Sequence, residues 1–335
     1  MRALVLTDKG KLVCRDEKIP AILPGELLIK TKAATICTSD LNDIKYNHFG
    51  IKMPMIMGHE ASGTVVEAGA DTTGFAVGDD VCTHPVMHCG KCGSCKRGLF
   101  HLCDDMSHLG LNKGGAFAEY FAIRADRARL KPANVSFAAA SLAEPISVCI
   151  EAIERGNVNE GSIVLIIGDG PFGIICSKLL KGYNPRQVIM SGRHPFRLKM
   201  ADAAAVNQRG EPDIVNKILE LTEGNGVDTA ILCAGNALAV DTAIQTLRAR
   251  GTLSLFSAVN PPPAIDLFKI HVKELNICGS CNDENKLDKA IGFLANEKMG
   301  FEELITHRIP FDEWEKAFYL AEHGKDEAVK VSIVF

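Results

Sequence analysis

One short stretch constrains this chain more than any other: Gly168-Asp169-Gly170-Pro171-Phe172-Gly173. It follows the apolar run 162–167 and opens the apolar stretch 174–180. A short β-branched run predicts a buried parallel strand, and the stretch after it predicts the crossover helix. Glycines at these places let the backbone turn tightly, approach a pyrophosphate and pack the helix closely on the strand. The helix N-terminus then presents free N–H groups to the phosphates. Alone, such a motif is often an ordinary glycine turn. With a strand before it, a helix after it and a second β-branched run at 187–191, it reads as a dinucleotide site built on Gly168, Gly170, Pro171, Phe172 and Gly173.

The rest of the chain must be explained around that turn. Its 335 residues suffice for two domains with separate cores. The net charge of −4 gives no reason to expect a nucleic-acid partner. No apolar run reaches membrane-spanning length, and the start, Met1-Arg2-Ala3-Leu4-Val5-Leu6-Thr7-Asp8, is not that of a signal peptide. A cytoplasmic location without membrane contact is therefore expected. Twelve cysteines in such a chain point to a reducing compartment and metal-bound thiolates rather than a disulfide framework.

Residues 1–35 alternate apolar and polar in short runs, punctuated by Pro20 and Pro24-Gly25, and predict half-buried antiparallel strands. Short strands and glycine turns continue to about residue 130. A helix is expected over 138–155. Strand–helix alternation follows through 227–233 and 251–257, implying a doubly wound parallel sheet. A helix over 285–296 and a strand over 329–334 are expected to return to the first domain.

Cys89, Cys92, Cys95 and Cys103 form C-x2-C-x2-C-x7-C, with Gly90, Gly93 and Gly98 between them. Four thiolates on a short glycine-bearing loop can close a tetrahedral shell around zinc with no open position, which makes a structural site. The alternatives are four unrelated thiols, or a nucleic-acid zinc module, for which only Lys91, Lys96 and Arg97 lie nearby. His84, His88, His101 and His108 crowd the same stretch and read as surface or packing histidines, since four cysteines already satisfy the metal.

A second constellation is scattered. Cys37-Thr38-Ser39-Asp40 follows a predicted strand, and Gly58-His59-Glu60 precedes another. Taken singly, Cys37 is a buried thiol, His59 a core histidine, and Glu60 and Glu144 solvated or paired carboxylates. Together with the cysteine quartet, Gly114-Gly115-Ala116-Phe117-Ala118-Glu119-Tyr120 and the Gly-x-Gly-Pro-x-Gly turn, the chain resembles the zinc-dependent medium-chain dehydrogenase/reductase family over nearly its whole length. Leu142-Ala143-Glu144-Pro145-Ile146-Ser147-Val148 is similar to the sorbitol (polyol) dehydrogenase branch.

The resemblance implies a catalytic zinc held by Cys37 and His59, with Glu60 and Glu144 sharing the remaining protein position, one directly and one through water. It implies that Asp40 hydrogen-bonds His59 and fixes its ring. An open zinc position would lower the pKa of a substrate hydroxyl, Ser39 would take its proton, and hydride would leave to the nicotinamide. In the family that relay often continues to a histidine five residues after the cysteine ligand; here that residue is Asn42.

In NAD-binding members an acid at the end of the second strand bonds the adenosine ribose hydroxyls. That position falls on Gly192, followed by Arg193, with His194 and Arg197 nearby. Loss of the carboxylate and gain of a guanidinium favour NADP over NAD, because the guanidinium can pair with a 2′-phosphate. The alternative is a solvated Arg193 in an enzyme that uses NAD. The branch usually carries Phe-Arg-Tyr after the last parallel strand, where this chain has Gly279-Ser280-Cys281-Asn282-Asp283. Asp43 also stands where an aromatic residue is common, so the branch does not name the substrate.

The expected architecture is α/β: a GroES-like β-rich catalytic domain (1–150 and 285–335) and a Rossmann domain (151–284), with the active site in the cleft between them. The expected enzyme carries two zinc ions per chain and interconverts a secondary alcohol of a polyol or sugar-like substrate with its ketone, using NADP(H) or NAD(H). A homodimer or homotetramer is implied by the family. The alternatives are a threonine-type or simple secondary-alcohol dehydrogenase, a non-catalytic dinucleotide-binding protein, and a zinc-dependent hydrolase.

Overall fold

The computed structural model describes all 335 residues. They form two compact units, Met1–Pro145 with Leu287–Phe335, and Ile146–Lys286. The first is β-rich. Its central strand, Glu26–Thr35, pairs antiparallel with Glu60–Ala68, Tyr120–Arg124 and Lys330–Val334. Along that strand the charged Lys30 and Lys32 reach solvent, while Leu27, Leu28 and Ile29 are buried. Leu27 and Ile29 enter a core with Leu4, Val65, Phe117 and Phe121.

Register gives this sheet its functional end. Thr35 lies opposite Glu60 on one side and opposite Ser332 on the other. Cys37, just past the end of one strand, His59, just before the start of another, and Lys330, first in a third, thus gather at one edge. Immediately after Cys37 the helix Thr38–Tyr46 begins. Asp40, in its first turn, accepts the Cys37 N–H at 2.9 Å and so satisfies a backbone donor at the helix start.

The second unit holds a six-stranded parallel sheet in the order Ala204–Asn207, Gln187–Gly192, Ile163–Ile167, Val227–Leu232, Leu247–Leu255, Asn276–Gly279. The first strand in sequence sits inside and the chain winds outward both ways, which is the Rossmann order. Every residue of Ile163–Ile167 is buried, as a strand covered on both faces requires. The turn after it needs its glycines for different reasons. Gly168 has φ +121°, and a Cβ on Gly173 would lie 2.0 Å from the Gly168 carbonyl oxygen. Nothing in the protein lies within 4 Å of where a Cβ on Gly170 would be. Pro171 then opens the helix Pro171–Leu180, where its missing N–H costs nothing.

Two elements differ from their sequence expectation. The helix expected over 138–155 is two helices, Phe137–Ala140 and Ala143–Arg155. At the break, the Ser141 hydroxyl donates to the Ala138 carbonyl at 2.7 Å, a local bond that competes with continued helix. The helix expected over 285–296 is shorter, Leu287–Ala295, and Asn285 before it is left-handed at φ 55°. The strand Lys330–Val334 pairs with Glu26–Thr35 within the first unit. No helix is long and apolar enough to cross a membrane.

Candidate active site and metal centres

At the edge of the first sheet, ligand atoms of Cys37, His59 and Glu60 lie within 4.8 Å of one another, all three buried. Asp40 organises the first two. One of its oxygens takes the Cys37 N–H, and the other lies 3.2 Å from Nδ1 of His59. A carboxylate on Nδ1 makes that nitrogen the donor and leaves the Nε2 lone pair for a metal. Burial opposes charge on the His59 ring, but Asp40 and Cys37 raise its pKa well above the ordinary value.

The two glutamates are in different states. Lys330 Nζ donates to both carboxylate oxygens of Glu60, at 2.5 and 2.6 Å, and the Thr35 hydroxyl donates to one of them. Glu60 is 0% and Lys330 1% exposed, so this is a fully buried ion pair. Glu144, at the start of the helix Ala143–Arg155, is also buried, and its Oε2 has no hydrogen-bond partner. Burial, opposed by His59 and reinforced by Glu60, pushes its carboxyl up to about 7. Sulfur, imidazole and carboxylate in one buried cluster, beside an orphaned carboxylate oxygen, form a donor set that fits zinc. Ser39, in the first turn of the helix Thr38–Tyr46, is half-buried with its hydroxyl bonded to no protein group. Asp43 spends its carboxylate on the backbone N–H of Phe49, at 2.9 Å, and so braces the chain after that helix.

The four histidines near the cysteine loop do not behave as one group. His88 stacks on Phe100, ring centroids 4.2 Å apart, and His101 is buried in the loop's own turn. His108, by contrast, faces the mixed site: its ring centre is 5.5 Å from that of His59. The pair Val86–Met87 with Ser107–His108 brings it there, and His84, just upstream of that pair, is buried nearby. Burial and the neighbouring His59 push His108 down to about 3, and its Nδ1 sits 2.6 Å from the Leu109 carbonyl oxygen. Of the surface and packing roles expected for these histidines, burial puts His84 among the packing ones, and a short strand pair, invisible in the periodicity, sets His108 beside His59.

Lys330 and Thr35 went unread in the sequence, and the nearness of His108 to His59 was not foreseen. Lys330 left a signal: a lysine inside the apolar alternation Ala328-Val329-Lys330-Val331-Ser332-Ile333 needs a buried partner.

The second cluster is Cys89, Cys92, Cys95 and Cys103, whose sulfurs lie within 4.8 Å of one another. No disulfide links any of them. The Cys89 N–H points at Cys103 Sγ at 3.2 Å and the Cys95 N–H at Cys92 Sγ at 3.4 Å. Backbone N–H groups of Cys95 and Asp104 bring the Cys92 thiol down to about 6, the direction that favours a thiolate ligand. This set also fits zinc.

In the second unit, Gly192 ends its strand buried, while Arg193 is exposed and its guanidinium has no protein partner. Arg197 is buried. The His194 ring is held by Asp169, whose carboxylate also accepts the N–H groups of Arg193 and His194. The open space before Gly170 is where a backbone that must approach a pyrophosphate needs it.

Residues 23–133 match the alcohol dehydrogenase GroES-like domain family, and residues 171–296 match the zinc-binding dehydrogenase family. A sorbitol dehydrogenase of Halalkalibacterium halodurans is 32% identical over 99% of this chain and 98% of its own. The chain belongs to the zinc-binding dehydrogenases of the medium-chain superfamily. An L-threonine 3-dehydrogenase of Pyrococcus furiosus is 33% identical over 92% of this chain and 91% of its own. Among solved structures, a zinc-binding dehydrogenase of Sinorhizobium meliloti 1021 bound to NADP superposes with a TM-score of 0.94 at 27% identity, covering 100% of this chain and 99% of that one. A short chain alcohol dehydrogenase of E. coli CFT073 complexed with NADH gives 0.92 at 28% identity, with coverage of 100% and 99%. As a zinc-binding dehydrogenase, this chain is a zinc-dependent, NAD(P)-linked oxidoreductase; the mixed names of its relatives leave the substrate class open.

Proposed function

We propose that this dehydrogenase oxidises a secondary alcohol of a polyol or sugar-like substrate to the ketone, or runs the reverse reaction, at the Cys37–His59 centre. The observation that carries this is the buried cluster of Cys37, His59 and Glu60 beside the unpartnered Glu144 oxygen. Zinc bound there supplies the Lewis acidity that brings a hydroxyl toward ionisation near neutral pH. Cys37 and His59 hold it, Asp40 fixes the His59 ring, and Ser39 accepts the hydroxyl proton. Glu144 is the carboxylate free to ligate, since Lys330 and Thr35 engage both oxygens of Glu60. Cys89, Cys92, Cys95 and Cys103 hold the structural zinc. The sorbitol dehydrogenase relative supports a polyol, as does the polar His108 beside His59.

For the cofactor, the exposed and unpaired Arg193 supports NADP(H), bound along Gly168, Gly170, Pro171, Phe172 and Gly173. Arg193→Ala then weakens NADP more than NAD, and equal weakening refutes that role. The Pyrococcus furiosus relative favours a second reading, a threonine-type dehydrogenase. One experiment separates the two: initial rates on polyols, cyclitols, simple secondary alcohols and L-threonine, with NAD⁺ and NADP⁺, before and after a chelator. Chelator-sensitive turnover of a polyol supports the first reading, turnover confined to L-threonine supports the second, and chelator-insensitive turnover overturns both.

A further inference from the structure

We propose that Asp169 is the acid that reads the adenosine ribose, relocated from the tip of the second parallel strand to the glycine-rich turn, where it acts against a 2′-phosphate. The inference rests on the dinucleotide reading of that turn.

The sequence shows a glycine, Gly192, where NAD-binding relatives place a carboxylate, and so suggests that the charge has been lost. The packing brings another carboxylate, that of Asp169, against the same place. A Cβ built on Gly192 would lie 2.5 Å from Asp169 Cβ, 2.7 Å from its Cγ and 2.8 Å from its Oδ2. The Asp169 carboxylate therefore lies directly against the position a side chain at 192 would take, at the end of the second strand. No side chain at 192 is compatible with Asp169 in this position. Gly192 is explained by the neighbour it must admit.

The charge is held firmly. Oδ2 accepts the Arg193 N–H at 2.7 Å and the His194 N–H at 2.5 Å, and His194 Nδ1 approaches it at 3.1 Å. Burial opposes ionisation, but these donors bring the carboxyl below its ordinary value. Two consecutive backbone N–H groups converging on one oxygen make an anion nest, and here the chain supplies its own anion. A 2′-phosphate therefore finds those donors taken and a fixed negative charge beside them. A ribose 2′-hydroxyl finds an acceptor. Arg193, exposed and unpaired, works in the opposite direction, so cofactor choice is set by two residues of opposite sign at one turn.

Calorimetric binding of ADP-ribose and 2′-phospho-ADP-ribose to the purified full-length protein tests this without catalysis. In Asp169→Asn, 2′-phospho-ADP-ribose binds about tenfold more tightly, the scale of one removed like charge across a screened contact, and ADP-ribose more weakly. Arg193→Ala moves the ratio of the two affinities the other way. An unchanged ratio in Asp169→Asn, or a ratio shifted toward ADP-ribose, overturns the proposal and leaves Asp169 a brace for the turn. Should the amide variant fail to fold by circular dichroism, Asp169→Ser is read by the same criterion. If the wild-type protein binds neither ligand, the dinucleotide reading itself falls, and this inference with it.

Discussion

The two candidate metal clusters share one unit and are built in opposite ways. The cysteine quartet comes from fifteen consecutive residues, 89–103, uses one kind of donor, and steadies its sulfurs with backbone N–H groups of the same loop. The Cys37–His59–Glu60 cluster comes from the ends of separate strands, mixes three donor chemistries, and depends on Asp40, Thr35 and Lys330 for its order. A loop that carries all its ligands needs the metal to hold its shape. A cluster whose ligands are placed by a sheet holds its shape first and can leave a position for chemistry. The difference is one of what supports what.

Breaking either cluster should therefore give a different kind of loss. Cys37→Ser is expected to lower kcat by on the order of 10³-fold or more, the scale seen when a group at the reacting centre is removed. Zinc content should fall toward one ion per chain, with thermal unfolding close to wild type. Cys92→Ser is expected to do the reverse in order of cause: the unfolding temperature drops first, and activity falls because the unit loosens. Metal analysis beside differential scanning calorimetry on the two variants decides it. A large fall in stability for Cys37→Ser with little for Cys92→Ser would invert the comparison.

The same contrast explains what was legible in the sequence. Four cysteines at close spacing announce themselves, because ligand geometry and chain spacing coincide. Cys37 and His59 could be linked only through resemblance, since their meeting depends on the register that sets Thr35 opposite Glu60. The Rossmann sheet was readable from its β-branched runs, each bounded by glycine or polar turns. The break at Ser141 was not, because one hydroxyl-to-carbonyl bond leaves no trace in an alanine-rich pattern. Gly192 was read as a missing charge because a sequence position carries no record of what a neighbouring turn places against it. His108 was hidden likewise by a two-residue strand pair.

Lys330 sharpens the comparison further, because the cysteine loop has no counterpart to it. Lys330→Met leaves the Glu60 carboxylate buried without its cation, and the expected cost is about 3–5 kcal/mol in chemical denaturation. The cobalt-substituted enzyme adds a readout that stability alone would not move. Glu60, freed from Lys330, becomes able to compete with Glu144 for the metal, and the ligand-field bands should shift. Unchanged bands would mean that Thr35 and packing suffice to hold Glu60 in place.

Asp40 gives the smallest expected effect and the finest cut. It is one carboxylate serving two ligands, with Oδ2 on the Cys37 N–H and Oδ1 beside His59 Nδ1. An asparagine keeps the shape and offers only one acceptor oxygen, so one of the two ligands must lose its partner. If the helix start wins, Cys37 keeps its place and the His59 ring is left to turn, with its tautomer no longer set by a carboxylate. Asp40→Asn should then bind zinc at the mixed centre about 10- to 100-fold more weakly, the usual cost of removing such an outer partner. The cysteine quartet should keep its ion, and thermal unfolding should stay near wild type. Competition with a graded series of chelators measures both sites in one titration. Equal weakening at both would show that the two clusters are coupled through the unit, and would remove the independence on which the contrast between them rests.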